Sequence, residues 1–518
     1  MNIHDTIAAP ATGDITSALG IIRVSGTDAV EITSKIFVPY DKKDFAKSAK
    51  ANTLYYGNIV DFRGSETVSN LNKANPDNPS TSSDTKSQKS NIIIDEVIVS
   101  IFLSPHSFTG EDTVEITHHG STYIQQEILS LLLLCGARLA DKGEFSMRAF
   151  LNGKINLSQA EAVADLIQSD NRCSHDIAIN QLRGGYNNEL KALREQFMKI
   201  ASLLELEIDF SAEQEVFVDR NDLYTLLEQT NTKLEQLINS FRQGNAFKNG
   251  IPVAIAGKPN SGKSTFMNAV LNDDRSIVSS IEGTTRDTIE ETITVNGLKI
   301  RFIDTAGIRE SNDEIEKEGI KRSFEAVKKS QKVIYLIDAS QDDLQSVDYQ
   351  LKFLQQEINS ANSDMISSNG NDNNTEGNIN NSTVNDNLIG KDIILVVNKD
   401  DISSIPFKDR KELLNKGALF ISAKQKKGID KVLNAITNEF NTDNISSNVF
   451  VSNIRHYNAL QKSSISTSLA LLCLTNGESA DLISYNIRKA TEDIGAITGE
   501  ITSEDILTNI FSNFCIGK

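Results

Sequence analysis

Residues 251–264 read IPVAIAGKPNSGKS, and this stretch decides the fold of the middle of the chain. Its apolar start, Ile251–Ala256, is typical of a buried parallel strand. Gly257 to Ser264 then match the pattern G-x-x-x-x-G-K-S/T, in which a loop between a strand and a helix wraps its backbone N–H groups around phosphates. We therefore predict a phosphate-binding loop in which Lys263 supplies positive charge and the Ser264 hydroxyl binds Mg²⁺.

Further motifs of a Ras-type GTP-binding domain follow this loop. Asp304, in the segment DTAG, can hold Mg²⁺ through a water while the Gly307 N–H meets the γ-phosphate. Thr285, in the segment GTTRD, offers a hydroxyl to the same ion. Asp401, in the segment NKDD, can accept hydrogen bonds from the guanine N1–H and 2-amino group, an arrangement that adenine leaves unsatisfied. The nucleotide-binding residues predicted from these motifs are Ser261, Gly262, Lys263, Ser264, Thr265, Gly283, Thr285, Asp304, Thr305, Ala306, Gly307, Asn398, Lys399, Asp401, Ser422, Ala423 and Lys424.

The surrounding sequence predicts a multidomain α/β plus α protein. Residues 250–440 alternate apolar strands with helices, whereas residues 154–249 and 441–518 repeat apolar residues at the helical spacing of three or four. We predict a Ras-like P-loop G domain at 250–440, inserted into a helical domain that both flanks build. Such an insertion is feasible when the ends of the insert lie close together. In residues 1–153, the sequence predicts strands at 20–25, 53–60, 92–103 and 113–117 and an apolar helix at 121–134, which indicates an N-terminal α+β domain.

Two polar tracts interrupt this pattern, at about residues 65–91 and about residues 359–387. Both are rich in Asn, Ser, Asp and Thr and contain almost no large apolar residues. Such a composition cannot offset its ordering entropy by burial. We interpret both tracts as disordered surface insertions.

Composition and charge narrow the range of functions. The 518 residues carry a net charge of −18 at pH 7, which disfavours broad nonspecific binding of nucleic acid, because such binding needs cationic side chains against phosphates. An RNA contact would have to be local, shape-based or shared with a partner. The four cysteines show no C-x-x-C spacing, so neither a zinc site nor a disulfide framework is predicted. Without a long apolar run or a targeting signal, the chain is predicted to be cytoplasmic, with no membrane partner.

The residues by themselves leave the route of GTP hydrolysis open. Ras-type GTPases orient water with a glutamine directly after the D-x-x-G element, but here that position is Ile308. Either hydrolysis is slow, or the catalytic groups come from elsewhere. The segment after Gly307 offers many candidate carboxylates, namely Glu310, Asp313, Glu314, Glu316 and Glu318.

Several segments resemble the MnmE family of tRNA-modification GTPases. The last five residues, 514–518, read FCIGK and are similar to the terminal signature of that family. The segment DTAGIRE at 304–310, with Glu316 twelve residues after Asp304, is also similar to the family pattern. So are four N-terminal segments: DTI at 5–7, GIIRVSG at 20–26, FTGED at 108–112 and AFLNGK at 149–154.

The resemblance implies how the nucleotide site would work. Glu316 would orient the attacking water through an intermediary, and Lys263 and Thr284 would complete the catalytic set. No arginine finger is implied. Instead, a K⁺ ion would bind beside the phosphates when G domains pair, held by neutral oxygens of the kind that replace the hydration shell of a large monovalent cation. The K⁺ ligands would be Asn260, Ser279, Ile281 and Thr284, and Ser280 and Glu282 would join the nucleotide-binding set.

The resemblance also implies a folate site in the paired N-terminal domains. A tetrahydrofolate derivative, 5,10-methylenetetrahydrofolate or 5-formyltetrahydrofolate, would be contacted by Arg23, Glu111, Lys154 and Lys518. Cations suit the glutamate tail of folate, and a carboxylate suits the donors on the edge of the pterin. Cys515 could be a reactive thiol or a small buried hydrophobe, and the sequence leaves both open.

At the level of assembly, the resemblance implies a homodimer that works with an MnmG-like FAD protein as a heterotetramer. The two proteins would add a carboxymethylaminomethyl or aminomethyl group to C5 of the wobble uridine of certain tRNAs. Two alternatives remain: a GTP-timed ribosome-assembly switch of the Era or Der type, and a regulatory GTPase that is nearly inactive alone. The first predicts a basic appendage or tandem G domains, yet only one phosphate loop is present and the flanking helices are acidic.

Overall fold

The structure is a computed structural model, and two compact units divide the chain. One unit comprises Met1–Ala164 with Gly495–Lys518, and the other comprises Asp165–Ile494. The domain boundaries predicted from the sequence, after residues 153, 249 and 440, stay predictions. The residues described by the structure are 5–13, 15–41, 44–63, 92–210, 219–272, 277–278, 290–303, 326–327, 329–350, 352, 392–440, 445, 448–501, 504–512 and 514–518.

The first unit is built on a seven-stranded sheet. Its strands are β1 (Ile7–Pro10), β2 (Leu19–Ser25), β3 (Phe37–Pro39), β4 (Thr53–Asp61), β5 (Ile92–Phe102), β6 (Thr113–His119) and β7 (Arg138–Leu139). They lie in the order β3-β4-β5-β6-β2-β1-β7. All neighbours are antiparallel except β1 and β7, which are parallel. The sequence predicted four of these strands but not the short β1, β3 and β7.

Helices lie on both faces of this sheet: Ala8 of β1 belongs to the core on one face, whereas its neighbours Ile7 and Ala9 pack with Phe145 on the other. The helices of the unit are α1 (Ala29–Ser34), α2 (Phe45–Ser48), α3 (Thr122–Leu134), α4 (Glu144–Leu151), α5 (Leu157–Gln168), which runs on into the second unit, and α15 (Glu504–Phe511). Ile128 and Leu131 of α3 pack against Val99 and Ile116 of the sheet, and all four side chains are fully buried. Because side chains alternate along a strand, the opposite face carries the remaining residues.

The C-terminal segment belongs to this first unit. Phe511 and Phe514 form a buried cluster with Leu157 and Ala160 of α5. Gly517 lies directly against β1, since a Cβ atom at that position would be 1.9 Å from the Pro10 carbonyl oxygen. The last residues are therefore held close to the N-terminal strand.

In the second unit, helices from both sides of the phosphate-loop region pack together. They are α6 (Arg172–Leu182), α7 (Gly185–Phe210), α8 (Arg220–Asn239), α9 (Phe241–Asn249), α13 (Ile454–Thr475) and α14 (Ala480–Thr498). The predicted apolar face of α7 is confirmed, because Leu190, Leu193, Phe197, Ile200 and Leu204 are all buried. Ser464 of α13 donates to Asn231 of α8 at 3.3 Å, so the two flanks meet as the insertion hypothesis predicts.

Between those flanks lies a second seven-stranded sheet. Its strands are β8 (Ile251–Gly257), β9 (Ile277–Val278), β10 (Glu291–Val295), β11 (Leu298–Phe302), β12 (Lys332–Asp338), β13 (Asp392–Asn398) and β14 (Leu419–Phe420), accompanied by α10 (Lys263–Leu271), α11 (Phe407–Asn415) and α12 (Ile429–Thr437). The order is β14-β13-β12-β8-β11-β10-β9, and the strands from β14 to β11 are parallel. Asn296 and Gly297, with φ of 53° and 80°, join β10 to β11 in the positive-φ geometry of a type I′ turn, which an Asn-Gly pair between two strands favours.

Some predictions fall on residues outside those that the structure describes, and they stay predictions. These include both polar tracts in full. Within the described ranges, no helix is long and apolar enough to cross a membrane.

Candidate functional site

The loop between β8 and α10 has the backbone shape that its two glycines were expected to permit. Gly257 has φ of 147° and Gly262 has φ of 94°, values that side-chain-bearing residues rarely adopt. A Cβ atom on Gly257 would lie 2.4 Å from the Leu336 carbonyl oxygen, and one on Gly262 would lie 2.3 Å from Asn398 Nδ2. Glycine is therefore required at both positions for the loop to approach its neighbours.

Lys263 holds its amine at this loop. Its Nζ donates to the carbonyl oxygens of Gly257 and Lys258, both at 2.9 Å. Burial lowers the pKa of Lys263, which reflects the cost of an amine held away from water, and its partners among the described residues are carbonyl oxygens rather than a carboxylate. An anion such as a phosphate would supply the missing counter-charge.

Other residues of the loop differ in exposure. Ser264 and Thr265 are exposed in the first turn of α10, where backbone N–H groups favour an anion. Asn260 is exposed and has φ of 63°, a left-handed conformation that Asn tolerates better than most residues. Ser261 is fully buried, and its hydroxyl has no hydrogen-bond partner among the described residues.

The predicted base-binding segments meet beside the phosphate loop. Asn398 Nδ2 donates to the Ser261 carbonyl oxygen at 2.9 Å, and Asn398 Oδ1 accepts from the Ala423 N–H at 3.0 Å. One side chain thus ties together three of the predicted motifs. Asp401 accepts from the Ser422 hydroxyl at 2.7 Å, which orients its carboxylate. Lys424, the last residue of this set, is exposed.

Much of the predicted catalytic set lies outside the residues that the structure describes, so its placement stays a prediction. This group comprises Ser279, Ser280, Ile281, Glu282, Gly283, Thr284, Thr285, Asp304, Thr305, Ala306, Gly307 and Glu316.

A second cluster of predicted site residues lies in the first unit, around Arg23. Arg23 donates from Nε and Nη2 to the same Glu115 oxygen at 2.9 and 2.7 Å. Its guanidinium carbon lies 5.5 Å from the ring centroid of Phe108 and 5.7 Å from that of Phe145. Burial and the nearby charge of Arg23 lower the pKa of Lys518, so two cations are held close together. An anion would relieve their repulsion.

Glu111 and Lys154 lie on or against one loop of the same unit. Glu111 accepts from the Ser25 hydroxyl at 2.8 Å and from Arg148 at 3.3 Å. Lys154 Nζ donates to the Pro105 carbonyl oxygen at 2.9 Å, and its stem lies beside Gly110. Ser25 is two residues after Arg23 on β2, which connects this pair to the Arg23 cluster.

Comparisons with known proteins match both parts of the chain. A family model described as GTP-binding protein TrmE N-terminus matches residues 6–154, and one described as MnmE helical domain matches residues 157–515. The chain is 44% identical to the tRNA modification GTPase MnmE of Flavobacterium johnsoniae, over 99% of each chain. It is 42% identical to the protein of the same name from Christiangramia forsetii, over the whole of both chains.

The chain belongs to the MnmE family.

Among solved structures, the G domain of the T. maritima FeoB iron transporter is 24% identical, with a TM-score of 0.22, and the match covers 36% of this chain and 97% of that chain. Membership of the MnmE family confirms the predicted fold class, a P-loop G domain within a helical domain and an N-terminal α+β domain.

In this MnmE family member, sequence reasoning missed the partners that fix the site residues. Glu115 holds Arg23 because β2 and β6 are neighbours in register, with Arg23 opposite Glu115. Arg148 is 1% exposed and bonds to Asp5 at 2.6 Å and Glu144 at 3.0 Å in addition to Glu111. The alternation of polar and apolar residues along β6, which places Glu115 among its polar positions, was the signal available for Glu115, whereas no signal in the sequence pointed to Arg148.

The structure also places the adjacent histidines His118 and His119 and the free cysteine Cys515. His118 is buried, its Nδ1 lies 2.8 Å from the His119 carbonyl oxygen, and His119 Nδ1 lies 2.7 Å from Asp95. The part of the chain that the structure describes contains no cluster of three or more potential metal ligands. Cys515 is exposed, so the alternative of a small buried hydrophobe is wrong for this chain.

Replacing Arg148 by Met is expected to destabilise the first unit by about 3–5 kcal/mol, because it removes one partner from a buried ionic cluster. Asp5 and Glu144 would keep Arg138, which bonds to both, and Glu144 would also keep the Asp141 N–H at 2.8 Å. Denaturant titration of the full chain, with hydrogen exchange in β1 and α4, measures the loss. Arg63→Met is the matched control: this partly exposed arginine bonds to Asp61 and Glu127, and its loss should cost under about 1 kcal/mol. Equal effects in the two variants would contradict the prediction.

Proposed function

We propose that this chain is a GTPase that, with a flavoprotein partner, adds a carboxymethylaminomethyl or aminomethyl group to C5 of the wobble uridine of certain tRNAs. The observation that carries the proposal is similarity along the full chain to relatives named tRNA modification GTPase MnmE. The test is nucleoside analysis of tRNA from a strain that lacks the gene. We expect the modified wobble uridine to disappear and to return with the intact gene, and unchanged nucleosides would contradict the proposal.

GTP binding is supported by the contacts of the nucleotide motifs. Lys263 holds a partly desolvated cation at the loop between β8 and α10. Asp401 is oriented by Ser422 so that its carboxylate can accept from guanine, while a base without those donors would leave it unpaired. The alternative Era- or Der-type switch shares this G-domain chemistry, and nothing outside the G domain favours it.

We include Mg²⁺ in the proposal, bound by Ser264 and Thr285, with Asp304 acting through a water. Ser264 fits this role because it is exposed at the N-terminal turn of α10, directly after Lys263. The ion would neutralise charge on the phosphates. Lys263 would also neutralise phosphate charge. Thr284 and Glu316, which lie outside the residues that the structure describes, would act on the water and the phosphates.

Replacing Glu316 by Ala is expected to slow GTP hydrolysis while GTP affinity stays near the parental value. The physical reason is that Glu316 is proposed to orient water, since Ile308 leaves no glutamine in the usual place. Single-turnover hydrolysis and equilibrium binding of a fluorescent GTP analogue separate the two effects. Glu318→Ala, two residues away, is the control and should hydrolyse GTP at the parental rate. A Glu316→Ala variant as fast as this control would contradict the assignment.

We propose that the cluster around Arg23 binds a tetrahydrofolate derivative, 5,10-methylenetetrahydrofolate or 5-formyltetrahydrofolate. The residues fit the group: Arg23 and Lys518 offer paired cations for a glutamate tail, and the partly exposed ring of Phe108 lies beside Arg23. When bound, methylenetetrahydrofolate supplies a one-carbon unit. Glu111 would accept hydrogen bonds from the donors on the pterin edge. Lys154, which lies against the loop that carries Glu111, would add positive charge.

We also propose that the chain forms a homodimer through the first unit. The sheet face opposite α1 and α3 carries large apolar side chains that are strongly exposed: Leu54 is 68% exposed, Tyr56 54% and Ile98 43%. Their strands are neighbours, because Tyr56 lies opposite Ile98 across β4 and β5. Contiguous exposed apolar surface of this kind marks an interaction site. Light scattering of the parent and of Tyr56→Glu would measure the association.

Family membership further supports a complex with an MnmG-like FAD protein, as a heterotetramer, and an interaction with tRNA. Because the net charge of the chain is −18, we propose that the partner protein supplies part of the RNA-binding surface. Co-purification with the partner, with and without GTP, would test the assembly.

A further inference from the structure

Strand β12 lies between the two strands that carry the nucleotide motifs, since the sheet order runs β13-β12-β8. It ends at Asp338, which is paired in register with Asn398, the last residue of β13. The carboxyl ends of parallel strands meet at one edge of a sheet, so Asp338 lies at the edge where the base-binding residues lie. No motif in the sequence singled it out.

The carboxylate of Asp338 is buried, and both of its oxygens accept hydrogen bonds. The residue is 5% exposed. Its Oδ2 accepts from Lys399 Nζ at 2.7 Å, while its Oδ1 accepts from the N–H and the hydroxyl of Ser340 at 2.9 and 2.6 Å. Burial would raise the pKa of Asp338, but the hydrogen bonds from Lys399 and Ser340 outweigh it and hold the pKa below its usual value. Asp338 is therefore a fixed anion.

Residues 398–401 form the base loop, and three of its side chains are each held by a different partner. Asn398 is held by the backbone of Ser261 and Ala423, and Asp401 is held by Ser422. Lys399 is held by Asp338. Lys399 also has φ of 63°, a backbone conformation that costs a non-glycine residue free energy and so needs support from outside the loop.

We propose that Asp338 is a positioning residue for guanine nucleotide: it holds Lys399 at the base site and thereby slows nucleotide release. This inference rests on the proposed GTPase function. A side chain that is already immobilised loses less conformational entropy when the ligand binds, so preorganisation of Lys399 increases affinity. Because Asp401 has a separate anchor, Asp338 contributes to the lifetime of the complex and leaves base discrimination to Asp401.

The test measures release of fluorescent GDP from the full chain by stopped flow. Asp338→Asn is expected to accelerate release roughly ten-fold, the scale of one charge-assisted hydrogen bond. Asp348→Asn is the matched control, because Asp348 also pairs with a lysine, Lys416 at 2.7 Å, but is much more exposed. The control should release GDP at the parental rate. Equal acceleration in both variants, or none in Asp338→Asn, would overturn the inference.

Base discrimination separates positioning from a merely structural role. Inosine diphosphate lacks the 2-amino group that Asp401 is proposed to bind, so the dissociation constant of inosine diphosphate divided by that of GDP reports on Asp401. We expect Asp338→Asn to keep this ratio and Ser422→Ala to lower it. Loss of the ratio in Asp338→Asn would mean that the whole base loop collapses, and the inference would fail.

A double-mutant cycle tests whether Asp338 acts through Lys399. In a Lys399→Met background, Asp338→Asn should add no further acceleration, and a full additive effect would overturn the inference. If Asp338→Asn does not fold, Asp338→Glu takes its place, because it keeps the charge but displaces the carboxylate by one methylene. It should then release GDP faster than the parent but more slowly than Lys399→Met. Failure of the parent protein to bind GDP would instead overturn the proposed function.

Discussion

Replacing K⁺ by Na⁺ is expected to slow GTP hydrolysis by about 10³-fold while leaving GTP affinity nearly unchanged. The proposed cage of Asn260, Ser279, Ile281 and Thr284 offers neutral oxygens, which suit a large monovalent cation better than a small one. An arginine finger contributes about 10³–10⁵ in rate, and a cation in the same place would act on the same developing charge. Hydrolysis in matched K⁺ and Na⁺ buffers measures the effect.

Variants of two asparagines make this experiment specific. Asn260 lies in the phosphate loop and is exposed, and Asn260→Ala should remove most of the K⁺ stimulation. Asn268 is an exposed asparagine further along α10, and Asn268→Ala should respond to K⁺ like the parent. Equal rates in the two salts for the parent would show that no K⁺ site assists hydrolysis.

Removing Cys515–Lys518 is expected to abolish tRNA modification and spare GTP hydrolysis. The contacts that the structure describes for the removed residues lie in the first unit: the Cys515 carbonyl oxygen accepts from the Gly143 N–H at 3.4 Å, and Gly517 lies against Pro10. The nucleotide motifs lie between residues 257 and 424, in the second unit. Nucleoside analysis and GTPase assays on the same protein test the two halves of the prediction.

A point substitution isolates the charge of the last residue from the loss of the tail. Lys518→Gln should weaken binding of 5-formyltetrahydrofolate by about 1.5–3 kcal/mol, the contribution of a hydrogen bond to a charged group. Lys142→Gln, a change at an exposed lysine of the same unit, should leave binding unchanged. Full modification activity in the truncated protein would contradict the proposed role of the C-terminus.

The phosphate-binding part of the candidate site could be predicted because its residues are close in sequence. The phosphate loop is a local strand–loop–helix unit, so the spacing of Gly257, Gly262 and Lys263 by itself predicts their geometry. The same holds for the turn at Asn296 and Gly297, where positive φ is a local requirement. Family membership extends these predictions to residues whose roles depend on distant partners.

Only the tertiary structure decided which side chains support the site. Arg23 meets Glu115 because β6 is the neighbour of β2, and periodicity within a strand predicts which residues share a face but not which strand lies beside it. Asp338 reaches Lys399 because β12 lies between β8 and β13, although many residues separate the two in sequence. Strand order depends on how the whole chain closes its core, and that information is spread over the sequence and has no motif of its own.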